Sequence, residues 1–218
     1  MSVPGLLVDM QRRLEALYAL EPGAPVSDFL LSDQDATAYP GGGSRTLITQ
    51  DGDGLSVGVV IASNVGALLA EMDPRVHLDR RNLDSFCTAT EEVSHFVYLL
   101  FCARTERTVT QLELELQAEV DKYLCAAFLL SLQNEGAVSK QLKDLLFHHY
   151  RIASAVGDER AERYRAASNL AYRYCEYLES RFLRPSRLAD LARETRRFYR
   201  LGQREKLEKI AQIPRVFN

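Results

Sequence analysis

The 218-residue sequence predicts a mainly α protein: an antiparallel bundle of four to five long helices, with an N-terminal helix and a small β-hairpin packed on it. Three observations carry this expectation. From about residue 82 to 212 the apolar residues recur at spacings of three and four, with short breaks at 104–108, 134–137, 156–158 and 184–186. Short connections between long helices favour antiparallel neighbours. Only one stretch, residues 45–62, carries a convincing strand pattern. The expected organisation is a single domain over 1–218, with 1–80 packing on a bundle at 82–212.

The elements follow in order. GLLVDMQRRLEALYAL, residues 5–20, places Leu6, Met10, Leu14, Leu17 and Tyr18 at helical spacing, and the EPGAP after it stops a helix. Residues 33–44, DQDATAYPGGGS, are rich in turn formers and predict a surface loop. RTLITQ and LSVGVVIA flank DGDG, whose glycines suit a tight hairpin turn. Two strands alone are marginal in water, so Leu47, Val57, Val59 and Val60 must lean on the helices or on a second subunit. In the helical part, Thr110 with Glu113 fits a helix start, Gly157 before Asp158 fits a stop followed by a start, and Pro185-Ser186 opens the last helical segment.

Composition narrows the function classes. With 46% hydrophobic and 26% charged residues the chain is neither disordered nor low in complexity. The apolar run at 97–103 falls well short of the roughly 20 residues of a membrane span. No basic start followed by an uninterrupted apolar stretch marks a secretory signal, so a cytoplasmic location is expected. Cys87, Cys102, Cys125 and Cys175 stand apart, with no C-x-x-C pair, and read as reduced core residues. The net charge of −3 is uneven: residues 181–218 carry eleven Lys and Arg against four Asp and Glu, a local +7 that leaves −10 on the rest.

Two constellations carry chemistry. TATEEVSHFVYLLFCART, residues 88–105, sets Glu92 and His95 on the same stripe as Phe96, Leu99 and Ala103. On the next helix Glu115 and Glu119 align with Leu112, Leu116 and Tyr123, at a similar distance from the connection. In DLLFHHY the phase turns His149 rather than His148 inward. Glu-x-x-His is half of a di-iron carboxylate pattern, but none of His77, His148 and His149 has a Glu three residues before it. That argues against a di-iron site and leaves a single divalent ion, Zn, Fe or Mn, held by Glu92, His95, Glu115 or Glu119 and His149. The competing reading is a buried network of carboxylates and histidine that needs no cofactor.

The second constellation is Arg193, Arg196, Arg197, Arg200 and Arg204, interleaved with Leu191, Phe198 and Tyr199. Such residues suit a helix docking on an acidic surface, and nucleic acid is the less favoured partner for a chain of pI near 5.9. No nucleophile elbow or phosphate-binding loop is present in the sequence. The leading expectation is a non-catalytic interaction or adaptor protein within a homo- or hetero-oligomer, and the alternative is a metal-binding bundle or metal-dependent enzyme.

Overall fold

The computed structural model describes residues 2–39, 42–51, 54–137, 141–148 and 159–214. The expected hairpin turn at 52–53, the helix start at Gly157–Asp158 and His149 lie outside these residues. The protein is mainly α, and the described residues include an antiparallel two-stranded sheet. The chain divides into two compact units: Met1–Ala16 with Leu20–Thr105, and Leu17–Ala19 with Glu106–Asn218. The boundary between the units falls at Thr105, so the helix bearing Glu92 and His95 belongs with the N-terminal elements.

In the first unit, α1 (Val3–Tyr18) buries Leu6, Leu7, Met10 and Leu14 on one face. Gln11, also fully buried, accepts from Val26 N at 2.7 Å and donates to Ala24 O at 3.0 Å, while Glu15 accepts from Gly23 N at 2.8 Å. Two polar side chains of the helix thereby satisfy the backbone of the loop that follows it. The one-turn helix α2 (Asp33–Ala36) is started by a capping box from Ser32 and Asp35.

The hairpin pairs β1 (Arg45–Asp51) with β2 (Gly54–Val60) in unbroken register, Arg45 opposite Val60 and Asp51 opposite Gly54. Both strands contact α4 (Leu83–Arg104), and Val59 and Val60 are buried. The support that the apolar strands require therefore comes from a helix of their own unit. Gly58 sits so close to Leu31 that an added Cβ would meet its Cδ1 at 2.6 Å. We expect Gly58→Ala to push Leu31 from its rotamer and lower the unfolding free energy by about 1 kcal/mol, measured by urea denaturation. Equal stability of the two proteins would refute the close approach.

Between sheet and α4 lies α3 (Ser63–Glu71), which the sequence reading leaves unassigned. Val65, Leu68, Leu69 and Met72 have helical spacing, but Gly66 weakens the pattern and no side chain caps the start.

The second unit contains α5 (Gln111–Gln133), α6 (Leu142–His148), α7 (Glu159–Leu178), α8 (Leu188–Arg200) and α9 (Gln203–Gln212). Thr110 caps α5 as its sequence suggests, its Oγ1 accepting from Glu113 N at 3.1 Å. Nearly every residue from Leu116 to Ala127 is buried, so α5 forms the centre of this unit, with α6 and α7 against it. After Leu178 the helix widens into a π-helical turn, Glu179–Leu183, in which Arg184 N bonds to Glu179 O at 2.9 Å. Such turns insert one residue and redirect the side chains around them.

Candidate functional site

The proposed metal ligands divide between the units. In the first, Glu92 and His95 face inward on α4: their side chains are only 6% and 12% exposed. Glu92 Oε2 accepts from the Thr46 hydroxyl of β1 at 2.8 Å, which ties the hairpin to the helix. His95 Nδ1 stands 3.9 Å from the same oxygen, beyond hydrogen-bond range. In the second unit Glu115 is half-buried and Glu119 is buried, with Lys122 Nζ at 2.8 Å from Glu119. His149 lies outside the described residues.

The dense chemistry of the second unit lies elsewhere, centred on Glu179 and Gln117, which the sequence pattern does not single out. Glu179, 1% exposed at the head of the π-helical turn, is one focus. Its Oε1 accepts from Nε of Arg184 at 2.8 Å and from a terminal nitrogen of the same guanidinium at 2.5 Å. Its Oε2 accepts from the Tyr123 hydroxyl at 2.9 Å, with Lys143 Nζ at 3.4 Å. Lys143 also stands 3.7 Å from Glu176. The wide turn makes this possible, because it brings the Arg184 side chain back over the carboxylate that opens the turn. Burial pushes the Tyr123 hydroxyl well above the ordinary tyrosine range, helped by the Glu179 carboxylate to which it donates. Burial likewise raises the thiol of Cys175, with Glu119 adding to the effect, so that sulfur stays protonated and inert.

A second focus joins three elements. Tyr18 donates to Asp121 Oδ1, and Gln117 Nε2 donates to the same oxygen at 2.9 Å and to the Tyr18 hydroxyl at 3.1 Å. Lys206 of α9, fully buried, donates to Gln117 Oε1 at 2.8 Å and lies 5.1 Å from the Phe198 ring centre. Tyr18 stacks on Tyr199 and Tyr174 on Phe198, each at 3.9 Å between centroids. The amide of Gln117 thus bonds to the acid Asp121 and to the base Lys206. Asp121-Lys122 inside the apolar run AEVDKYLCAAF is the one sequence signal that points to this network.

The arginine-rich helix α8 divides its cations. Arg196 Nε donates to Leu17 O at 2.9 Å, and Arg200 donates to Tyr18 O at 3.1 Å and Ala19 O at 3.3 Å. The carbonyls of Leu17 and Tyr18 end α1, with Ala19 just past it, and they lack partners within their helix and carry the negative end of its dipole. Arg193 pairs with Asp190 at 2.7 Å and Arg197 is exposed; on α9, Arg204, 88% exposed, stands 3.7 Å from Glu208. Among the described residues no helix is long and apolar enough to cross a membrane. The chain matches no family model, no curated protein and no solved structure.

Proposed function

We propose that this chain is a non-catalytic helical interaction protein of the cytosol that acts within an oligomer. One observation carries the reading: within each unit, the buried carboxylates are held by that unit's own donors. Glu92 takes Thr46, Glu113 takes Arg107, Glu119 takes Lys122, Asp121 takes Tyr18 and Gln117, and Glu179 takes Arg184, Lys143 and Tyr123. Groups engaged in this way stabilise a shape and are not poised for proton transfer or substrate. Apolar side chains meanwhile stand in solvent, among them Ile48, Val76, Leu132 and Leu188.

A second reading rests on the pair Glu92 and His95, whose oxygen and nitrogen lie 3.9 Å apart on one face of α4, a spacing at which one divalent ion could take both. The two readings predict different results for one variant. Under the leading reading, His95→Ala lowers the unfolding free energy by about 1–3 kcal/mol, and elemental analysis finds metal well below one ion per chain in both proteins. A stoichiometric ion that leaves with His95→Ala, in a chain that sediments as a lone monomer, would replace the interaction reading with the metal-binding one.

A further inference from the structure

We infer that the open edge of β1 pairs with β1 of a second copy, making a four-stranded antiparallel sheet about a two-fold axis through Ile48. The inference rests on the interaction reading and names its partner. On β2 the outer edge is engaged at its Val59 end: Val59 O accepts from Leu31 N at 2.9 Å, and Leu30 bridges to Val59. Because the Val59 carbonyl points away from β1, its cross-strand partner Thr46 turns its own N–H and C=O away from β2, and by the alternation of an antiparallel pair so do Ile48 and Gln50. Among the described residues no backbone hydrogen bond closes that side of β1.

The strand also lacks the features that normally protect an edge. It runs seven residues, Arg45 to Asp51, in continuous register with β2, without bulge, proline or lysine, and with Ile48 46% exposed at its centre. Its two formal charges are of opposite sign and stand at opposite ends, Arg45 and Asp51. Antiparallel pairing about Ile48 sets Thr46 across from Gln50, so that the outward backbone groups meet in phase, and places Arg45 beside Asp51 of the second copy at both ends. Among the described residues the Arg45 guanidinium bonds to carbonyls of its own chain, Ala36 O at 2.8 Å and Gly43 O at 2.9 Å. A parallel pairing would set like charges together. This edge therefore selects a second copy and one orientation of it.

Sedimentation of the full chain across a concentration series tests the proposal. The wild type should pass from monomer to dimer, and hydrogen exchange at the Ile48 amide should slow as the dimer forms. Ile48→Lys opposes like charges on the axis and should raise the dimer dissociation constant about tenfold or more with unchanged circular dichroism. Should that variant fold poorly, the charge pair decides: Arg45→Asp weakens the dimer, and Arg45→Asp combined with Asp51→Arg restores it. A chain that stays monomeric throughout overturns the proposal, as does a dimer indifferent to these changes. A monomer that forms a stoichiometric complex with a different protein also overturns it, while leaving the interaction reading intact.

Discussion

Glu179→Ala should lower the stability of the second unit by about 3–5 kcal/mol, the cost of leaving buried charges without their partner. The carboxylate is almost wholly enclosed and receives Arg184, Lys143 and Tyr123 together. Its cations differ in what they can do once it is gone. Arg184 is 56% exposed on its side chain and can turn into water, whereas Lys143 is 10% exposed and stays behind with Glu176 alone. Arg184→Ala should therefore cost only about 1 kcal/mol, since the pair is screened on the arginine side. Glu179→Gln should fall between the two, because the amide oxygen still accepts from Tyr123 but opposes no positive charge. Urea denaturation of the three variants orders them, and equal losses for Glu179→Ala and Arg184→Ala would show that the buried end of the cluster contributes nothing of its own.

Tyr18→Ala should be of comparable size, a loss of about 3–5 kcal/mol, because it empties a fully buried site that stacks on Tyr199. Tyr18→Phe separates the two contributions. It keeps the ring and removes only the hydroxyl, leaving Asp121 with Gln117 as its remaining donor in this group, and should cost about 1–3 kcal/mol. The same residue gives a pH dependence of definite sign. Burial first, and the Asp121 carboxylate second, raise the Tyr18 hydroxyl well above the ordinary tyrosine value. The unfolded chain therefore releases this proton at lower pH than the folded one. The stability from this group is complete below about pH 10 and falls as the pH rises through the ordinary tyrosine range towards the raised folded value. Tyr123 and Tyr174 share the behaviour, being raised chiefly by burial. Tyr18→Phe should shrink the alkaline loss by one tyrosine's share. An unchanged alkaline limb would mean that the hydroxyl is in water.

The inward phase of Glu92, His95 and Glu119 was legible because a helix repeats every 3.6 residues, and a carboxylate in step with Phe96, Leu99 and Leu116 must turn to the same side as they do. The helix start at Thr110 was legible for an equally local reason: its hydroxyl reaches an amide three residues on. Lys206 and Gln117 were not legible. Lys206 occurs among polar residues of α9, and nothing within one turn of it shows that Gln117, 89 positions away, will receive it. Glu179 was hidden differently, because the widened turn that aims Arg184 at it departs from the regular period on which side-chain phase is read.

The class of fold and the location of its elements follow from the residues in order along the chain: mainly helical, a hairpin, and long helices from residue 83 onward. These rest on periodicity, capping and turn chemistry, all of which act within a few residues. The tertiary structure alone decided which partner each inward charge takes. Local phase can turn Glu119 inward, but whether it meets a histidine, a metal or Lys122 depends on side-chain reach. It also decided the division of the chain at Thr105, which groups α4 with the hairpin, because Thr46 and the valines of β2 find their apolar surface and their acceptor on that helix. Burial rewards whichever distant surfaces fit together, and that fit is a property of the packed chain that no local window of the sequence contains.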